Sequence, residues 1–165
     1  MKISYKSFGC RTNQIELESI IEKFIEKGYT VCDELYDLII INSCCVTQKA
    51  ENEVFRFIKK EREKNPSSKM IITGCLATLF REKILAKFDD VIIYPNDEKN
   101  KIVKDFLGFD DKYFTVKGFY KRKRAFVKVQ DGCNLSCSYY IVSIARNKMI
   151  SKPFDDVIKE IKELV

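Results

Sequence analysis

The sequence predicts an α/β protein: a flavodoxin-like three-layer parallel-sheet domain with a smaller unit after it. Three short apolar runs lead there. LIIIN at 38–42, KMIIT at 69–73 and DVIIY at 90–94 have the near-continuous hydrophobicity of strands buried on both faces. Amphipathic stretches of helical period separate them, and that alternation specifies a parallel sheet covered by helices on both sides. The chain has 165 residues, 45% of them hydrophobic, which is enough for one ordinary domain and a little more.

KISYKSF at 2–8 is the first strand. From Asn13 to Lys27 the apolar residues Ile15, Leu17, Ile20, Ile21, Phe24 and Ile25 recur at helical period, and Gly28 is the stop. YTVC at 29–32 is a short second strand, and LIIIN follows it. Thr47 is placed to cap a helix from Gln48 to Lys64, which Asn65 and Pro66 end. Within it, RFIKKEREK at 56–64 is mixed in sign and suits an exposed face. After KMIIT come a helix over 77–87, the strand DVIIY and a helix from Asp97 to Leu107. Residues 1–107 thus form the first domain. A linker, 108–124, opens with GFDDKYFTVKG. A second unit, 125–165, begins with a strand, AFVKVQ at 125–130. It closes with the amphipathic helix of SKPFDDVIKEIKELV, where Asp155 and Asp156 favour the N-terminal end. One strand and one helix cannot bury a core alone, so this unit reads as the start of a larger domain.

Composition removes several function classes. There are no histidines, which excludes His-based general bases, Cys-His dyads and His-containing zinc sites. The six glycines form neither a G-x-G-x-x-G nor a phosphate loop. The N-terminal MKISYKSFGCRTN lacks the apolar stretch of a signal peptide, and no apolar run approaches the roughly 18–20 residues of a membrane span. The expectation is a cytoplasmic protein with neither a membrane nor DNA as partner. The net charge of +6 is concentrated: residues 111–165 hold 12 Lys and Arg against 6 Asp and Glu, while the rest is balanced. A polyanion suits such a face, and so does a plain solvated surface.

Seven cysteines, an odd number, point to metal or redox chemistry rather than a disulfide framework. Cys10, Cys44 and Cys75 each follow a predicted parallel strand, in FGCRTN, INSCCV and ITGCLA. Such strand ends share one edge of a doubly wound sheet, where ligands bind. Gly9 and Gly74 would allow close backbone approach, and helix N-termini after Cys44 and Cys75 would favour thiolates. Three convergent thiolates without histidine suit an iron–sulfur cluster with one iron lacking a cysteine. Zinc held by three cysteines and a water is an alternative, and so is simple burial of small residues in tight turns. Cys32 reads as an inert core thiol. Cys45 adjoins Cys44, and neighbouring side chains diverge, so both would not ligate one cluster. A second group, QDGCNLSCSYYIV at 130–142, places Cys133 and Cys137 in C-x-x-x-C spacing after a strand, with Tyr140 three residues on.

With these motifs the chain resembles the radical S-adenosylmethionine methylthiotransferases that modify tRNA. GCRTNQIE (9–16), INSCCVTQKAE (41–51) and IITGCLA (71–77) occur in that family's order and spacing. NPSSKMIITGC and RAFVKVQDGCN (124–134) fit the branch that acts on N6-threonylcarbamoyladenosine. Sister branches act on isopentenyladenosine in tRNA or on a ribosomal protein. The resemblance implies methylthiolation at C2 of the adenosine next to the anticodon, with tRNA, S-adenosylmethionine and a sulfur donor as partners. It implies two 4Fe–4S clusters. Cys10, Cys44 and Cys75 match the ligands of the auxiliary cluster, linked to sulfur supply. Cys133 and Cys137 match two ligands of the radical cluster, which binds and cleaves S-adenosylmethionine. It also implies that residues 125–165 are the first strand–loop–helix of a truncated radical-SAM barrel.

The family's C-x-x-x-C-x-x-C puts a third cysteine where Tyr140 stands. Ser143, Ile144 and Asn147 also depart from the family's P-Y-A-R-G continuation, while Ala145 and Arg146 keep to it. The expectation is therefore a truncated form with a degenerate radical-cluster motif. The alternatives are a non-catalytic iron–sulfur or zinc module that binds tRNA, and a non-functional gene fragment. Lys121, Arg122, Lys123 and Arg124, interleaved with Phe119, Tyr120 and Phe126, are the candidates for RNA contact; a solvated linker is the other reading.

Overall fold

The computed structural model describes residues 1–110, 113–118, 125–135, 137 and 139–165. The sheet strands are β1 (Lys2–Ser7), β2 (Thr30–Val31), β3 (Leu38–Ser43), β4 (Lys69–Gly74) and β5 (Val91–Tyr94). They pair in the order β2-β1-β3-β4-β5, all parallel. This is the flavodoxin-like doubly wound order, whose topological switch point lies between β1 and β3. The fold class expected from the sequence is the one observed.

Side-chain alternation along the strands divides the core into two layers. Ile39, Ile41, Met70 and Ile72 face α2 (Gln48–Lys64), α3 (Cys75–Leu79) and α4 (Arg81–Leu85), meeting Val54, Ile58, Leu76 and Ile84. Leu38, Ile40 and Ile71 face α1 (Arg11–Glu26) and α5 (Lys101–Leu107), meeting Leu17, Ile20, Phe24 and Ile102. Thr47 caps α2 as expected, its Oγ1 accepting from the Ala50 N–H at 3.1 Å.

Three boundaries differ from expectation. The helix expected over 77–87 breaks at Phe80 into α3 and α4. The helix expected from Asp97 begins as a single 3-10 turn, Asn96–Glu98, before α5. The strand expected at 125–130 shrinks to β6 (Gln130–Asp131), and its partner is β7 (Ile150–Ser151), antiparallel. Between them lies α6 (Ile141–Ala145), and α7 (Phe154–Leu164) follows. Within AFVKV the Val129 carbonyl still accepts the Lys152 N–H at 2.8 Å, and the Lys128 side chain turns inward to the carboxylates of Glu16 and Asp131.

Residues 113–118 pack against the sheet domain. Phe114 and Val116 are buried. The Val116 N–H donates to Glu160 Oε1 on α7 at 2.9 Å, and the Lys117 and Gly118 N–H groups donate to the Glu22 carboxylate on α1 at 2.9 and 3.0 Å. Among the described residues, no helix is long and apolar enough to cross a membrane.

Candidate metal centre

Cys10, Cys44 and Cys75 follow β1, β3 and β4, which are adjacent in the sheet, so their Cα positions converge on its C-terminal edge at the switch point. Cys10 is the N-cap residue of α1 with extended backbone, Cys44 follows β3 directly, and Cys75 opens α3. Cys44 and Cys75 are buried and Cys10 is exposed. Burial pushes the Cys44 thiol up, and the Cys75 and Cys10 thiols lie near enough for their charge to push it further. The expected thiolate-favouring helix N-terminus does not prevail at Cys44, because desolvation outweighs the backbone N–H of Val46.

Two glycines make this convergence possible. A Cβ on Gly9 would lie 2.7 Å from both Cβ and Sγ of Cys44. Gly74 adopts φ +98° and ψ −169°, a conformation essentially reserved for glycine, and a Cβ there would collide with the Ser43 backbone. Gly74→Ala is expected to destabilise the fold by on the order of 3 kcal/mol, read as a lowered thermal midpoint. An unchanged midpoint would contradict the close packing of β3 on β4.

Cys45 is buried in the core cluster that includes Tyr36, Ile39 and Val54, and its thiol is pushed up to about 12, first by burial and then by Cys75 and Cys44. Cys32 is not the core thiol expected. It is half-buried in the loop after β2, and the backbone N–H groups of Glu34 and Leu35 lower its pKa.

Cys133, Cys137, Ser143 and Asn147 line a separate concavity of about 410 Å³. The Cys133 N–H donates to the Arg146 carbonyl at 3.0 Å, and the Leu135 N–H donates to Cys133 Sγ at 3.5 Å. Tyr140 caps the start of α6 and is 46% exposed. Lys121, Arg122, Lys123 and Arg124 lie outside the described residues.

A buried charge cluster joins the two groups. Glu16 on α1 is 1% exposed and takes ion pairs from Lys99, Lys128 and Arg146. Arg146 spans both Glu16 oxygens at 2.7 and 2.9 Å, Asn13 Oδ1 at 2.8 Å and Asp131 Oδ1 at 2.6 Å. Asn96 Nδ2 donates to the Ala145 carbonyl at 3.0 Å and points to Cys75 Sγ at 3.6 Å. The sequence reading did not single out this cluster. The available signal was Glu16 itself, a charge on the stripe i, i+4, i+8 that continues through Ile20 and Phe24.

The model of the uncharacterized protein family UPF0004 matches residues 2–94, from β1 to the end of β5. The chain belongs to this family. The match contains the whole parallel sheet with Cys10, Cys44 and Cys75, and stops before the Cys133–Cys137 loop. Several curated relatives carry named activities. The threonylcarbamoyladenosine tRNA methylthiotransferase MtaB of Chlamydia pneumoniae is 33% identical over 162 residues, 95% of this chain and 38% of its own length. That of Thermotoga maritima is 35% identical over 178 residues, 99% and 41% respectively. The tRNA-2-methylthio-N(6)-dimethylallyladenosine synthase of Thermodesulfovibrio yellowstonii is 34% identical over 177 residues, 96% and 41%. The chain thus spans about two fifths of the length of these curated relatives.

Proposed function

We propose that this chain is the cluster-bearing front part of a tRNA methylthiotransferase, of the branch acting on N6-threonylcarbamoyladenosine. The observation that carries this is the placement of Cys10, Cys44 and Cys75 at adjacent strand ends of a family-matched sheet. The donor set is all thiol, and a bound cationic iron centre would offset the burial, and after it the Cys75 and Cys10 charge, that push the Cys44 thiol up. Among the described residues, no three His, Cys, Asp or Glu side chains form a group able to hold a metal ion as they stand. An all-thiol donor set suits an iron–sulfur cluster and zinc alike, and the resemblance to the methylthiotransferases favours the cluster. Cys10, Cys44 and Cys75 would hold that auxiliary 4Fe–4S cluster, which supplies sulfur-transfer chemistry when bound.

Cys133 and Cys137 would provide two ligands of a second 4Fe–4S cluster, whose chemistry is electron delivery to S-adenosylmethionine. Tyr140 leaves that set one thiolate short. The proposed organisation is a methylthiotransferase N-terminal domain at 1–107, a basic linker at 108–124 and the opening of a radical-SAM domain at 125–165. tRNA is the proposed polyanionic partner, supported by the relatives' names and by the basic excess of residues 111–165. The cytoplasm is the proposed location, and a sulfur donor is the further partner.

Anaerobic reconstitution tests the reading. About four irons per chain with matching sulfide are expected, lost in Cys10→Ala, Cys44→Ala and Cys75→Ala. Zinc without iron, or iron indifferent to these substitutions, would sink it.

A further inference from the structure

Each of the two cysteine groups ends in backbone that a single side chain reaches. On one side, Asn13 Nδ2 donates to the Phe8 carbonyl at 3.0 Å and to the Ser43 carbonyl at 3.2 Å. Those carbonyls flank Cys10 and Cys44. The Asn42 side chain holds Asn13 in turn, donating to its carbonyl at 2.8 Å. On the other side, the Arg146 carbonyl receives the Cys133 N–H. The Arg146 guanidinium closes the gap, bonding to Asn13 Oδ1 and to both oxygens of Glu16. Asp131, two residues before Cys133, takes the remaining bond of the fork. The Arg11 guanidinium also stacks on Phe126 at 4.7 Å, a second link between the segment after Cys10 and the chain entering the Cys133 loop.

We propose that Arg146, through Asn13 and Glu16, is a positioning residue that sets the Cys133–Cys137 loop in fixed register on the sheet edge carrying Cys10, Cys44 and Cys75. The purpose of this register rests on the reading of both groups as cluster ligands, but the register itself does not. Three features favour positioning over mere neutralisation of Glu16. Lys99 and Lys128 already pair with that carboxylate, so a third cation is not needed for charge. A planar guanidinium presents donors in a rigid fork, and all four of its bonds go to groups whose places it thereby fixes. The network reaches the Phe8 and Ser43 carbonyls, just before Cys10 and Cys44, and Arg146 itself accepts the Cys133 N–H through its carbonyl.

The fork, not the charge, is what the proposal requires, and Arg146→Lys separates the two. In the 165-residue chain, Arg146→Lys is expected to keep the sheet folded. Amide hydrogen exchange across residues 130–151, the Cys133 N–H included, should rise about tenfold while β3 and β4 keep their protection. Asn13→Ala leaves every charge in place and is expected to accelerate the same segment. Iron per chain after reconstitution should stay at the wild-type level in Arg146→Lys, since Cys10, Cys44, Cys75 and the Asn13 bonds to the Phe8 and Ser43 carbonyls are untouched. Wild-type protection of 130–151 in Arg146→Lys would overturn the proposal, because charge alone would then suffice. So would a uniform rise that includes β3 and β4, which would mark Arg146 as a general stabiliser. If Arg146→Lys fails to fold, Asn13→Ala decides by the same criterion. A wild-type chain that binds no iron would remove the cluster reading and leave the exchange result standing.

Discussion

Glu16→Ala is expected to cost about 3–5 kcal/mol of unfolding free energy, measured by urea denaturation at neutral pH. The size follows from what the substitution leaves behind. Lys99, Lys128 and Arg146 would remain buried with Asp131 as the acidic side chain that pairs with Lys128 and Arg146. An uncompensated buried cation is among the most damaging changes a core can suffer, while the intact cluster adds little net stability over apolar packing. The pH dependence carries the same information. Burial alone would raise the Glu16 pKa, but Lys99, Arg146 and Lys128 more than offset it and hold the carboxyl well below its usual range near 4.5. A depressed folded-state pKa means stability that is fully present above the unfolded pKa and lost as pH falls through the folded one. Wild-type stability should therefore decline below about pH 4.5, and Glu16→Gln should flatten that decline. A loss under about 1 kcal/mol in Glu16→Ala would show that the cluster is more hydrated than the structure places it.

The sheet was legible because its strands announce themselves. LIIIN and KMIIT are apolar at every position except the polar ends, and all of β3 is buried. The cysteine edge was legible for a related reason: parallel strands deliver their C-terminal ends to one side, so residues 31 and 34 positions apart become neighbours. Residues 125–151 were not legible in this way. Their order comes from long-range charge, Glu16 with Lys128 and Arg146, at sequence separations of 112 and 130, and no local period encodes such a contact. The short β6–β7 pair and α6 are each five residues or fewer, below the length at which periodicity distinguishes helix from strand. Cys32 was misjudged because a thiol near an apolar strand looks like core from sequence. β2 lies at the sheet edge, and both of its residues are exposed.

Tyr140→Cys is expected to raise iron from about four to about eight per chain after anaerobic reconstitution, with sulfide rising in step. The position is prepared for it. The Tyr140 N–H donates to the Cys137 carbonyl at 3.3 Å, and its own carbonyl receives the Ser143 N–H at 3.0 Å and the Ser143 hydroxyl at 2.7 Å. The backbone is therefore fixed from both sides, independently of the phenol ring. That ring is half-exposed, so removing it opens no core cavity, and stability should change by less than about 1 kcal/mol. A thiol there would stand three residues after Cys137, supplying the third cysteine of the motif whose first two line the 410 Å³ concavity. The added iron should disappear again in Cys133→Ala or Cys137→Ala on the same background, while the first four irons persist. Iron that stays near four would place the limit elsewhere, in the departures at Ser143, Ile144 and Asn147 that follow the motif. All three line the same concavity and would be the next positions to restore.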